Sequence, residues 1–265
     1  MKSHHLPKIS IIIPSYNQGH FIRETIQSIL SQGDPSTQVF VFDGGSQDET
    51  LKVLKSFGRA ISWISERDKG QTDALNKGLK HLLASDLDEG DIIAYINSDD
   101  YYLPGAFAKV RTSFQSHSEA GWIVGDAQIV NEHGKRIQEP IRWYKRFFRW
   151  CYSGFLIQIL NPIPQPSVFI KFSAVKKVGL FNPNLHFTMD YEYWLRLQRN
   201  VGKPFFCSNE LSAFRIHGTS KGTTQYSKQF EEGLQVVSQF TKNHLVRSLH
   251  HLHNQLILLI YKIIK

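Results

Sequence analysis

Over the first hundred residues, short apolar runs alternate with segments in which apolar residues recur every three or four positions. Lys8-Ile9-Ser10-Ile11-Ile12-Ile13 predicts a strand that Pro14, lacking an N–H for the ladder, should stop. Phe21, Ile22, Ile26, Ile29 and Leu30 then mark one face of a helix. Gln38-Val39-Phe40-Val41-Phe42 predicts a second strand. Ser46 followed by Glu49 has capping-box spacing, opening a helix that carries Leu51, Val53, Leu54 and Phe57. Ile61-Ser62-Trp63-Ile64 reads as a third strand, Thr72 to Leu83 as a helix, and Ile92-Ile93-Ala94-Tyr95-Ile96 as a fourth strand. This alternation predicts an α/β fold: a mostly parallel central sheet with helices on both faces.

Beyond residue 103 the rhythm changes. A helix from about Pro104 to Ser116 precedes Trp122–Gly125 and Ala127–Val130, read as strand and turn, and Asn131-Glu132-His133-Gly134, read as a hairpin loop. Residues 141–160 mix cations, aromatics and aliphatics, and 161–166 are proline-rich. A helix over Met189–Asn200 and a strand over Pro204–Phe214 follow. The chain divides into a domain over 1–225, with halves 8–103 and 104–225, and a C-terminal helical extension over 226–265.

Each early strand ends in a polar cluster: Pro14-Ser15-Tyr16-Asn17, Asp43-Gly44-Gly45-Ser46, Glu66-Arg67-Asp68-Lys69-Gly70 and Asn97-Ser98-Asp99-Asp100. Parallel strands point their carboxyl ends the same way, so the four clusters should converge on one crevice. Asp99 and Asp100 repel one another unless positive charge sits beside them. A divalent cation bridging to a diphosphate would supply it, and hard oxygen ligands suit Mg²⁺ or Mn²⁺. Taken alone, the same Asp pair is also what a helix cap or solvated turn looks like. Neither G-x-G-x-x-G nor G-x-x-x-x-G-K-[ST] occurs, which excludes dehydrogenase-type and P-loop nucleotide sites.

With 265 residues, 41% hydrophobic and 20% charged, the chain can bury a sizeable core. Its two cysteines, Cys151 and Cys207, lie far apart, which argues against a disulfide scaffold or zinc site and fits a reducing compartment. The net charge of +8 calls for an anionic partner: nucleic acid, a phosphorylated substrate or an anionic membrane. Neither a signal peptide nor a spanning segment is legible, so a cytoplasmic location is expected.

The set Ile11-Ile12-Ile13-Pro14-Ser15-Tyr16-Asn17, Phe42-Asp43-Gly44-Gly45-Ser46-Gln47-Asp48, Ser65-Glu66-Arg67-Asp68-Lys69-Gly70, Ala74-Leu75-Asn76-Lys77-Gly78 and Asn97-Ser98-Asp99-Asp100 resembles the family 2 glycosyltransferases. The likeness runs in order over about residues 8–220. It implies the GT-A fold, a nucleotide-diphosphate sugar donor, a Mn²⁺ or Mg²⁺ ion and inversion at the anomeric carbon. By that resemblance Pro14, Ser15, Tyr16 and Asn17 would flank the nucleoside, and Asp43 would accept the base N–H, which favours uracil. Asp68, Lys69 and Gly70 would meet the nucleoside and diphosphate. Asp99 would approach ribose or sugar hydroxyls and Asp100 would ligate the metal. The family's acidic triad usually opens on an acid. Here Ser98, or Asn97 in a slipped register, stands there, which leaves the division between Asp99 and Asp100 open.

Asp190, in Thr188-Met189-Asp190-Tyr191-Glu192, falls at a predicted helix N-terminus, where the helix dipole favours its ionised form. By itself that is also an ordinary N-cap. The resemblance makes Asp190 the general base, since an acceptor hydroxyl must lose its proton as it attacks. Glu192 is a second, acceptor-side carboxylate on a different helix face. Gln165 resembles the acceptor border. His217, in Phe214-Arg215-Ile216-His217-Gly218, resembles a late histidine that would contact metal or diphosphate, and Lys221 could neutralise phosphate.

Two other classes share some of these features. A sugar-1-phosphate nucleotidyltransferase would need a glycine- and arginine-rich loop after strand one, and a silent sugar-nucleotide-binding module would not need both Asp100 and Asp190. Nucleic-acid binding lacks any recognition motif. The acceptor implied by the resemblance is a sugar or lipid-linked saccharide, as in surface-polysaccharide assembly. Arg142-Trp143-Tyr144-Lys145-Arg146-Phe147-Phe148-Arg149-Trp150 and the apolar tail suit an anionic membrane surface, at the inner face of the cell membrane, or equally a packing or dimer contact.

Overall fold

The computed structural model describes residues 6–218 and 226–264. Lys221 lies outside the described residues. The first half alternates β1 (Ile9–Ser15), α1 (Ile22–Leu30), β2 (Thr37–Asp43), α2 (Thr50–Ser56), β3 (Ser62–Ser65), α3 (Gln71–Leu83) and β4 (Ile92–Tyr95). The second half comprises β5 (Tyr101–Tyr102), α4 (Ala106–Ser116), β6 (Trp122–Asn131), α5 (Glu139–Trp150), β7 (Val168–Lys171), α6 (Phe172–Val178), α7 (Met189–Asn200) and β8 (Phe205–Ile216). Helices α8 (Tyr226–Phe240) and α9 (His244–Ile264) close the chain.

One sheet runs through the molecule in the order β3-β2-β1-β4-β7-β6-β8-β5. Its first four strands are parallel, as are β6 and β8, while β7 and β5 pair antiparallel with their neighbours. Alternation along β1 sorts the core. Ile9, Ile11 and Ile13 pack with Ile22 and Ile26 of α1, Leu54 of α2 and Phe107 of α4 on one face. Ile12 packs on the other face with α3, α6 and α7.

Pro14 does not end β1. The strand continues to Ser15, with Pro14 beside Phe42 and Ser15 beside Asp43. Ile12 O accepts from Ile96 N on the β4 side and Ser15 O accepts from Gly44 N on the β2 side. By alternation Pro14 turns its nitrogen toward β4, which has already ended, so the missing donor costs no ladder bond. β6 is likewise one strand rather than strand and turn, with register shifts against β8 around Asp126.

The C-terminal helices pack as part of the same body. Val236, Val237 and Val246 are buried in the core cluster that contains α7. Among the described residues, no helix is long and apolar enough to cross a membrane.

Candidate active site

The ends of β1 to β4 meet, and their loops are latched to one another. Asp43 is the hinge pin of the first latch. Its Oδ2 accepts from Gly45 N at 3.1 Å, Ser46 N at 2.9 Å and Ser65 Oγ at 2.6 Å, and its Oδ1 from Ser46 Oγ at 2.5 Å. Ser46 therefore serves this network and the Asn17 amide (2.7 Å), and does not cap α2, whose first turn begins only at Thr50. Asn17 sits in the left-handed region at φ 52° and its side chain accepts from Gln47 N at 2.9 Å. The turn leaves Tyr16 and Asn17 exposed, with Pro14 and Ser15 buried beneath.

Asp68 approaches the same loop so closely that a Cβ on Gly44 would lie 2.9 Å from its Oδ2. Its Oδ1 accepts from Gly70 N at 2.8 Å. Burial pushes the Asp68 carboxyl up, against the Gly70 hydrogen bond and the Lys77 charge. Gly70 precedes α3 at φ 108°, a conformation that favours glycine. A cleft of about 80 Å³ runs between Lys69–Asp73 and Pro183 with His186, joining this loop to the approach of α7.

At the end of β4 the two aspartates separate. Asp100 is buried, its Oδ1 accepting from Arg215 N at 2.8 Å and its Oδ2 from Asn97 Nδ2 at 3.3 Å. Burial and then the Asp99 charge raise its carboxyl well above the usual range. Asp99 is partly exposed and its Oδ2 lies 2.9 Å from His217 Nε2. Of the two aspartates, it is Asp99 whose carboxylate contacts His217, while the expected metal ligand Asp100 is bonded to Arg215 N and Asn97. Among the described residues no group of three His, Cys, Asp or Glu could hold a metal unaided. Arg215 fixes this corner, donating to Asp99 O, Glu132 O and Glu24 Oε2, its guanidinium between the Phe21 and Tyr101 rings.

Gln165 is carried to the same end. Its Nε2 donates to Tyr95 O at 2.9 Å and its Oε1 accepts from Asn97 Nδ2 at 3.3 Å, while Asn97 Oδ1 accepts from Gln71 Nε2 at 2.7 Å. These amides bridge α3, the end of β4 and the Gln165–Ser167 turn.

Asp190 lies in the first turn of α7, one residue after Met189, so it is not the N-cap. The N-terminus is served instead from the extension: Glu232 of α8 accepts from His186 N, Phe187 N, Thr188 N and Thr188 Oγ1 at 2.7–2.8 Å. Asp190 Oδ1 accepts from Tyr191 N, a first-turn amide of α7, at 2.7 Å, and Oδ2 has no hydrogen bond from another described residue. Burial raises its carboxyl, opposed by the Tyr191 amide and the charge of Lys145 and assisted by that of Glu232. Buried Tyr95 feels both sites: its phenol is pushed well up by burial and then by the charges of Asp190 and Asp100. Both carboxylates therefore act electrostatically on one side chain at the end of β4.

Glu192 does not join them. It is buried, pairs with Arg196 at 2.7 Å, and Arg196 also donates to Val178 O and Leu180 O. That ion pair commits the Glu192 carboxylate, expected on the acceptor side, to Arg196. The i, i+4 spacing with Arg196 was the signal in the sequence. Lys145 was legible only as one cation of a basic run. On α5 it shares a face with Arg142 and Arg149, which bind buried Asp126 at 3.3 and 2.5 Å. Burial, then the Arg149 charge, lowers the Lys145 ammonium, and Asp190 opposes this. No sequence pattern pointed to Glu232.

Residues 10–175, well over half of the chain, match the family described as Glycosyl transferase family 2. The chain is similar to the Escherichia coli protein described as UDP-Glc:alpha-D-GlcNAc-diphosphoundecaprenol beta-1,3-glucosyltransferase WfgD, with 26% identity covering 96% of this chain and 94% of that one. Among solved structures, S. aureus TarS 1-349 in complex with UDP-GlcNAc shares 17% identity and a TM-score of 0.64, over 87% of this chain and 65% of that one. The chain spans 39% of a longer TarS chain. Mannosyltransferase PcManGT from Pyrobaculum calidifontis, solved with GDP-Man and Mn²⁺, shares 14% identity and a TM-score of 0.70, over 95% and 70%. At these identities the structures show a shared fold.

Proposed function

Because the chain belongs to glycosyltransferase family 2, we propose that it moves a sugar from a uridine-diphosphate sugar to a hydroxyl of a lipid-linked saccharide, with inversion. The carrying observation is Asp190: a buried carboxylate in the first turn of α7, with Oδ1 on Tyr191 N and no hydrogen bond to Oδ2 from another described residue, whose charge acts on Tyr95 at the end of β4 as that of Asp100 does. Asp190 takes the proton of the acceptor hydroxyl as that oxygen attacks the anomeric carbon. The nucleoside diphosphate leaves from the opposite face, so one displacement inverts the centre. Asp99 and His217, a carboxylate and an imidazole in contact, fit a divalent cation that takes its remaining ligands from a diphosphate. When bound, Mn²⁺ or Mg²⁺ would neutralise charge growing on the leaving diphosphate. Asp100, held by Arg215 N and Asn97, supports that corner from beneath. Tyr16 and Asn17 border the nucleoside, and Asp43 reads the base N–H through Oδ1, which carries one hydrogen bond where Oδ2 carries three.

A uridine donor is supported by the WfgD and TarS descriptions, and the lipid-linked acceptor by that of WfgD. The test is product identity with a panel of sugar nucleotides and Mn²⁺. Release of nucleoside diphosphate is expected, and pyrophosphate release would mean nucleotidyl transfer instead. Asp190→Asn should keep donor-induced thermal stabilisation yet lose turnover by at least about 10²-fold. Near wild-type turnover in that variant at saturating acceptor would remove Asp190 from the mechanism.

A further inference from the structure

Helix α5 shows two faces of opposite character. Its inner face is spent on the body: Arg149 and Arg142 bind Asp126, and Arg142 also binds Glu210 at 2.7 Å. Most of the cations that made this segment look like a membrane ligand are therefore turned inward. The outer face carries Trp143, Phe147 and Trp150, spaced i, i+4, i+7, at 57%, 56% and 85% exposure, continued by Phe155 at 49%. Arg146 is the exposed cation among them, its guanidinium 5.3 Å from the Trp143 ring centre. Aromatic bodies of this size are ordinarily covered, and three on one helix face mark a contact surface.

Helix α9 repeats the arrangement in aliphatic form. Val246, His250 and Asn254 are buried, while Leu252, Leu256 and Leu259 are exposed on another face. It touches α5 where Tyr144 OH lies 2.6 Å from His253 Nε2. Charge decides what covers these faces. Arg146 of α5 and Arg247 of α9 are exposed, and the stretches that carry them, Pro140 to Met189 and Gly233 to Lys265, contain no Asp or Glu. A second copy of this chain would bring like charges together, whereas an anionic leaflet complements them. Tryptophan and arginine together suit the headgroup boundary.

We propose that the Trp143–Phe147–Trp150 face of α5, with the exposed leucines of α9, rests on an anionic lipid surface. The inner face of α5 carries Lys145, whose charge acts on Asp190, so the lipid contact would lie across this helix from the side that bears on the candidate base. Only that last link depends on the transferase reading; the lipid contact does not.

The experiment is flotation of the full chain with vesicles of phosphatidylcholine, alone or mixed with phosphatidylglycerol, at low salt. Binding should be at least about tenfold tighter to the anionic vesicles. Brominated lipid should quench part of the tryptophan emission. The combined variant W143S/F147S/W150S should lose at least about tenfold in vesicle affinity with Tm unchanged, because none of the three is in the core. If that variant fails to fold, Trp150→Ser alone, the most exposed position, should still weaken binding and reduce quenching. Absence of binding to anionic vesicles, or binding that neither variant alters, would overturn the proposal. So would a lipid-free dimer in sedimentation that W143S/F147S/W150S dissolves, since the face would then belong to a second copy.

Discussion

The two halves of the molecule build their candidate chemistry differently. Up to Gly70, each side chain follows its own strand end and is fixed by its own loop or that of an adjoining strand. The donors to Asp43 come from residues 45, 46 and 65, that to Asn17 from residue 47 and that to Asp68 from residue 70. After Tyr101, the surroundings of one carboxylate are collected from far apart. Asp190 of α7 is tuned by Lys145 of α5 and Glu232 of α8, and faces Tyr95 of β4 electrostatically. A site made of strand-end turns holds its ligand by local geometry; a site made of packed helices sets a proton affinity through tertiary packing. Changes in the first half should alter donor affinity, and changes in the second should alter rate and its pH dependence.

The largest effect that would break this division is expected where the halves meet. Asp99→Ala and His217→Ala should each abolish most of the Mn²⁺-dependent part of donor binding, with turnover down by about 10²-fold or more. Both should leave metal-free binding of the nucleotide nearly intact. Asp100→Asn should behave otherwise, since it changes a buried group bonded to Arg215 N and Asn97: Tm falls, while the metal dependence of the folded fraction persists. Titrating donor binding with and without EDTA, alongside melting curves, separates the two patterns. Loss of the metal response in Asp100→Asn but not in Asp99→Ala would return the ligand role to Asp100.

The same contrast explains what the sequence disclosed. Asp43, Asp68 and Asp99 were legible because strand, turn and acid are consecutive, so the topology of a parallel sheet suffices to gather them. Glu192 and Asp190 could not be told apart in the sequence, because two acids in one helical turn look alike until packing shows that Arg196 has taken one of them. Glu232 was invisible: the amides that donate to it lie 44–46 residues earlier in the chain, and no local pattern announces a carboxylate that holds the approach to another helix. Two-residue β5 and the inward turn of Arg142 and Arg149 toward Asp126 likewise exist only through partners remote in sequence.

The next effect is on pH dependence. Asp190 acts ionised, so activity should fall as pH drops through its folded-state pKa, which burial sets above the ordinary carboxylate value. Lys145 holds that pKa down, and Lys145→Gln should therefore move the acid limb of kcat to higher pH. Glu232 pushes it up, so Glu232→Gln should move the limb to lower pH. Glu232→Gln should also cost about tenfold in kcat through a loosened Thr188–Asp190 turn, with Glu232→Asp recovering part of it. Opposite displacements in the two variants identify Asp190 as the titrating group. Displacement in one direction, or none, would mean that another residue controls the limb.

The smallest effect belongs to the donor half, where Asp43 combines two tasks. Its Oδ2 holds the turn through three donors, and its Oδ1, with one, is the acceptor that a uracil or thymine N–H would use. Cytosine presents an acceptor at the same ring position, so a carboxylate there leaves two acceptors facing each other. UDP should bind the wild type at least about tenfold more tightly than CDP. Asp43→Asn can offer an amide N–H to cytosine, so the gap should narrow even though both nucleotides bind more weakly through the loosened loop. Isothermal titration of both ligands against both proteins measures the two contributions separately. If UDP and CDP weaken by the same factor, Asp43 acts only on the turn, and base selection must come from the exposed Tyr16–Asn17 edge.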